Sequence, residues 1–189
     1  MVSDGEKERM CSFFGHRSID VTEELRQKVS IIISELIVKR EVTTFLFGSR
    51  SNFVELCHTV IDELKQVYPN IKRIAYTCKG EACILESERV RWEGIYAGMQ
   101  KKNMRLLCVD EEYEHKTKFC SGKAGYVERN RAMIDDSDYC IFFYDECYKP
   151  KMRRYSKHSL GYYQPKSGTR LAYEYANKKC KNVINVFEK

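Results

Sequence analysis

Apolar positions along the chain fall into two alternating kinds of segment. Residues 11–15, 43–47, 71–78, 104–109, 139–144 and 183–187 are short apolar runs rich in aromatic and β-branched side chains, the mark of buried strands. Between them the spacing changes. Residues 21–39 carry Leu25, Val29, Ile32, Ile33, Leu36 and Ile37 at helical intervals. Residues 53–68 repeat the pattern through Phe53, Leu56, Cys57, Val60, Ile61 and Leu64, and Pro69 stops it. Amphipathic stretches at 86–101, 126–135 and 168–179 complete the series. The run 139–144 has no polar alternation, as expected of a strand covered on both faces. Strands alternating with helices of these lengths predict an α/β, Rossmann-like three-layer sandwich with a mainly parallel sheet of six strands.

Composition narrows this picture. With 189 residues, 43% of them hydrophobic, and three prolines, the chain suits one folded domain over 11–189 behind a polar, flexible stretch at 1–10. Nine cysteines raise the question of disulfides, but the count is odd, no apolar leader opens the chain, and Cys11, Cys78, Cys108 and Cys140 lie inside predicted strands. They read as small buried hydrophobes in a reducing cytoplasm. Cys78 and Cys83 lack a second ligand pair, so no zinc site, other metal or cofactor is expected. No apolar stretch is long enough to cross a bilayer, and no membrane partner is expected. The net charge of +6 suits an anionic ligand without arguing for nucleic acid.

One phrase occurs twice with a single substitution: Phe14-Gly15-His16-Arg17-Ser18 and Phe47-Gly48-Ser49-Arg50-Ser51, each between a predicted strand and a predicted helix. Glycine there lets backbone approach a ligand closely, the helix start offers free N–H groups, and arginine adds a fork of donors suited to phosphate. In an open parallel sheet, ligands bind beyond the carboxyl ends of the strands. Tyr76-Thr77, Tyr144-Asp145-Glu146 and the helix start Ser167-Gly168-Thr169 fall at the same edge. Arg129, Asn130 and Met133 sit on the helix ahead of the fifth strand.

These segments resemble the SLOG superfamily of Rossmann-like domains, the superfamily of the DprA and LOG proteins, and most closely its YpsA-like branch. The resemblance rests on CSFFGHR at 11–17, FLFGSRSNF at 45–53, KRIAYTC at 72–78, RNRAMIDDSDYCIFFYDE at 129–146 and SGTRLAYEYA at 167–176. It implies a pocket for a nucleotide or a nucleotide-derived, ADP-ribose-like molecule, in a sensor, regulator or sequestering protein. Gly15, His16, Arg17, Gly48, Ser49, Arg50, Tyr76, Arg129, Asn130, Met133, Ser167, Gly168 and Thr169 are the ligand-binding candidates.

Two alternatives follow from other residues. A nucleotide N-glycosidase would need a carboxylate and a proton donor, for which Glu174, Asp145 and His16 are the candidates. Glu174 stands five residues after Thr169, whereas the LOG turn has acidic residues close behind it, so the hydrolytic reading departs from the family pattern. Single-stranded nucleic-acid binding would use residues 145–166, where six lysines and arginines are interleaved with Tyr148, Tyr155, Tyr162 and Tyr163. This segment reads more simply as a long loop forming a lid over a small ligand, and nucleic acid is not expected as a partner. Trp92, Ile95 and Tyr96 form a helix face suited to a homo-oligomer.

Overall fold

The computed structural model describes residues 8–48, 51–81, 109–119, 122–155, 158 and 160–188. In chain order the elements are β1 (Arg9–Gly15), α1 (Glu23–Arg40), β2 (Val42–Phe47), α2 (Asn52–Lys65), β3 (Lys72–Cys78), β4 (Glu111–His115), α3 (Lys123–Asp136), β5 (Tyr139–Phe143), β6 (Arg153–Arg154), β7 (Tyr162–Tyr163), α4 (Gly168–Lys178) and β8 (Asn182–Asn185). Six strands form one sheet in the order β4-β3-β2-β1-β5-β8, and every pairing is parallel. This is the predicted α/β, Rossmann-like arrangement.

Alternation along each strand builds two cores. In β1 and β5, Cys11, Phe13 and Ile141 face α1 and α2, joining Phe45, Phe47, Phe53 and Val60. Phe14, Cys140 and Phe142 face the other way, where Met133 and Ile134 of α3 and Ala172 and Ala176 of α4 cover them. Rings dominate both sides: Phe13 lies 5.0 Å from Phe47, and Phe14 lies 5.0 Å from Phe142. Hydroxyls cap three helices, with Thr22, Ser51 and Ser167 accepting from the N–H groups of Leu25, Val54 and Arg170. Helix α1 ends where Glu41 turns left-handed, at φ 54°.

The fourth described strand follows the run that hydrophobicity marked. Val109 lies outside any strand, residues 104–108 are outside the described residues, and the paired strand is Glu-Glu-Tyr-Glu-His at 111–115. It is the sheet edge, so little of it is buried and charge replaces the apolar signal. Its register is pinned at the entrance: the Asp110 N–H donates to the Arg73 carbonyl at 2.9 Å, and the Arg73 N–H donates to Asp110 Oδ2 at 2.8 Å. The predicted helix at 86–101, with Trp92, Ile95 and Tyr96, lies outside the described residues.

The predicted loop at 145–166 contains an antiparallel hairpin in which Arg153 pairs with Tyr163 and Arg154 with Tyr162. Arg154 Nε donates to the Tyr162 hydroxyl at 2.8 Å, and its guanidinium lies over the same ring. Cys11, Cys57, Cys78 and Cys140 are buried free thiols, and Cys147 and Cys180 are exposed ones. Burial pushes the buried thiols up, Cys78 and Cys140 each to about 11, which leaves them protonated and unreactive at neutral pH.

Candidate functional site

Strand order reverses at β1: β2 lies on one side of it and β5 on the other. The crevice beyond β1 and β5 is therefore where an open sheet of this kind accepts a ligand. Gly15 and His16 leave β1 there, and Tyr144 and Asp145 leave β5. His16 is buried, with only 2% of its surface exposed. Its Nε2 meets the Asp145 backbone, 3.1 Å from the N–H and 3.2 Å from the carbonyl, and the Tyr148 ring stacks on the imidazole at 3.9 Å with planes 20° apart. Burial pushes the imidazole below its ordinary pKa, against the opposing pull of the Asp145 backbone and charge.

A row of rings continues from this point. The Tyr144 ring is 6.0 Å from His16, and Tyr173 of α4 stacks on Tyr144 at 4.4 Å. Asn185 fixes Tyr144 by accepting from its N–H at 3.0 Å and donating to its carbonyl at 2.9 Å. Cations stand beside the row. Lys166 Nζ and Arg170 Nε both donate to Glu174, at 2.8 and 2.9 Å. Hydrogen bonds from Lys166 and then Arg170 hold that exposed carboxyl below the usual carboxylate range. The hairpin, which precedes Lys166 in the chain, carries Arg153, Arg154, Tyr155 and Tyr162 at the surface.

The β2 and β3 ends are closed differently. Arg129 of α3 is buried, and one guanidinium nitrogen donates to both carboxylate oxygens of Glu81 at 2.8 Å. Glu81 also accepts from the Cys78 N–H at 2.9 Å, and Arg129 reaches Asn130 Oδ1 at 3.2 Å. Its Nε has no hydrogen-bond partner among the described residues and lies against Gly48, where an added Cβ would stand 2.9 Å from it and 2.5 Å from Met133 Sδ.

The predicted site residues therefore separate into groups. Gly15 serves packing: a Cβ there would meet the Phe53 Cβ at 2.6 Å, so close approach to α2 accounts for the glycine. Met133 is wholly buried core, and Arg129 and Asn130 belong to the Glu81 network. Tyr76 points away from the carboxyl edge, its hydroxyl donating to Asp136 at the far end of α3. Arg17 is exposed, and Ser49 and Arg50 lie outside the described residues. Ser167 caps α4, Gly168 has open space around it, and Thr169 is buried. Of the carboxylates offered for catalysis, Glu174 is a surface ion-pair partner and Asp145 accepts from the Cys147 N–H at 2.8 Å. Among the described residues no group of His, Cys, Asp and Glu is placed to hold a metal ion, and no helix is long and apolar enough to cross a membrane.

Sequence reasoning missed two residues that organise this edge. Asn52 joins the two matched turns: its amide accepts from the Ile19 N–H at 3.0 Å and donates to the Ile19 carbonyl, clasping the loop after β1 onto the start of α2. It follows Ser51 in the repeated phrase, which is a signal that could have been read. Glu81 carries no such mark, because its partner lies 48 residues away.

No protein-family model matches the chain, and no curated protein matches it. A solved structure of DNA processing protein A from Helicobacter pylori, described as binding single-stranded DNA, is similar in fold. Its TM-score is 0.52 at 15% identity, and the match covers 94% of this chain. The chain spans 64% of the length of that protein. This overturns the expectation that set nucleic acid aside as a partner. That expectation leaned on moderate net charge, whereas a protein of this fold does bind a single strand and the basic residues here are concentrated on one segment. What the likeness establishes for this chain is a Rossmann-like α/β fold of the kind found in DNA processing protein A.

Proposed function

We propose that the chain binds single-stranded nucleic acid along the carboxyl edge of its sheet, from the His16–Tyr144–Tyr173 row to the basic hairpin. The supporting observation is the pairing of exposed rings with cations on one segment. Tyr155 is 71% exposed and Tyr162 48%, beside Arg153, Arg154, Lys149 and Lys151. Bases of any sequence stack on such rings, while the cations follow the phosphates. Similarity in fold to a protein that binds single-stranded DNA adds to this reading.

The test is fluorescence anisotropy of a labelled oligo(dT) strand against a duplex of equal length at increasing salt. The single strand should bind more tightly than the duplex, with log affinity falling by about 0.7 per neutralised phosphate for each log unit of salt. A joint Arg153→Ala and Arg154→Ala variant should bind more weakly with a shallower slope. Equal or tighter binding to the duplex sinks the proposal.

A second reading, a free nucleotide-derived ligand, draws on a specific feature: Asn52 brings the two glycine-bearing turns together where strand order reverses. Mass spectrometry of the protein with a panel of nucleotides and ADP-ribose derivatives tests it through retained ligand or released base. Among sequence families, we place the chain nearest the YpsA-like branch on its five matching segments.

A further inference from the structure

We infer that His16 is the floor of a nucleobase subsite and that Tyr148 stands in the base's place. The inference rests on the strand-binding reading above and assigns its innermost contact.

Three observations converge on it. The Tyr148 ring lies on the imidazole at 3.9 Å and 20°, the offset-stacked geometry a base would adopt on the same ring. It is held from one side only, since Tyr148 remains 37% exposed. Its segment is anchored at Tyr144 by Asn185 and then makes a tight turn, in which the Tyr148 N–H donates to the Asp145 carbonyl at 3.2 Å and the Cys147 N–H to Asp145 Oδ1. A ring at the free end of a short turn can swing out without disturbing β5.

The imidazole also holds an unspent ring nitrogen. The Asp145 backbone engages Nε2 alone, with its N–H 3.1 Å and its carbonyl 3.2 Å from that nitrogen. Nδ1 is buried and has no hydrogen-bond partner among the described residues. A buried ring nitrogen left unsatisfied is costly, and the sheet's strand-order reversal is the place where a ligand would satisfy it. Tyr148 supplies stacking but no bond to Nδ1. A nucleotide supplies both, with its base on the face of the ring and its sugar or phosphate at the ring edge, in whose plane Nδ1 bonds. Ligand entry thus exchanges one aromatic stack for another and adds a hydrogen bond.

The experiment is anisotropy with labelled oligo(dT) of about 20 nucleotides, long enough for one such site, on the wild type, Tyr148→Ala, and Tyr148→Ala combined with His16→Gln. Removing the covering ring should tighten binding by on the order of tenfold, and the double variant should lose that gain. The ring-nitrogen resonances of His16 should shift when the strand is added to wild-type protein, a readout that does not depend on a substituted histidine folding. If the strand binds the wild type but Tyr148→Ala weakens binding or leaves it unchanged, Tyr148 is part of the platform rather than its occupant, and the inference fails while the binding proposal stands. If neither form binds, both fail.

Discussion

The two halves of the strand carboxyl edge are closed by opposite chemistry. At β1 and β5 the closure is aromatic, with Tyr148 resting on His16 and its outer face open to solvent. At β2 and β3 it is ionic: Arg129 and Glu81 are paired with 3% and 7% of their side chains exposed. A partly exposed ring can leave its stack and regain water. A buried ion cannot leave its partner without stranding an uncompensated charge. The first half is thus suited to opening and the second to holding, although both begin with the same Gly-x-Arg-Ser phrase.

Breaking the ionic half should have the largest effect. Glu81→Ala leaves Arg129 buried and unpaired and should cost about 3–5 kcal/mol in urea unfolding. A loss below about 1 kcal/mol would mean that the pair is not what locks this end. Next comes Gly15→Ala, where the intruding methyl meets the Phe53 Cβ, an atom fixed to the α2 backbone; overpacking of this kind costs about 1–3 kcal/mol or more. Gly48→Ala should cost less, because the atoms it meets, Met133 Sδ and Arg129 Nε, lie far out along their side chains rather than on a helix backbone, with the Glu81 pairing limiting how far Arg129 gives. The reverse order would show that the two turns are not held as described.

Acid sharpens the aromatic half. The folded His16 has a pKa below the ordinary value of about 6.5, so the unfolded chain takes up this proton first as pH falls. The stability it contributes is present above about pH 6.5 and lost as pH falls from there through the folded pKa. Unfolding measured at stepped pH should therefore show a loss that His16→Gln removes; an identical loss in the variant would assign it to other groups. The smallest effect belongs to the surface. Glu174→Gln should leave the melting temperature nearly unchanged while freeing Lys166 and Arg170, so strand binding should tighten with a steeper salt slope. Unchanged binding would place those cations off the path.

Most of the scaffold could be read before any coordinates, because α1, α2, α4, β2 and β5 each bury a complete apolar face and periodicity follows burial. The edge strand β4 could not, since Glu111, Glu112 and Glu114 have little to bury and the ladder to β3 that defines it leaves no apolar mark in the sequence. At the site, position was legible and role was not. Sequence placed Gly15, His16 and Gly48 at the right edge, but the side chains that determine what they do come from far along the chain: Phe53 for Gly15, Arg129 and Met133 for Gly48, Tyr148 for His16. A motif records local geometry, and these contacts are not local.

The Asn52 clasp has a consequence for timing. One amide engages both backbone groups of Ile19, as a neighbouring strand would, so an irregular loop borrows the protection of a sheet. The Ile19 amide hydrogen should exchange with solvent at the rate of the α2 helix start rather than that of a surface loop. The segment bearing His16 would then open only when that helix frays, which leaves the Tyr148 side as the fast door to the crevice.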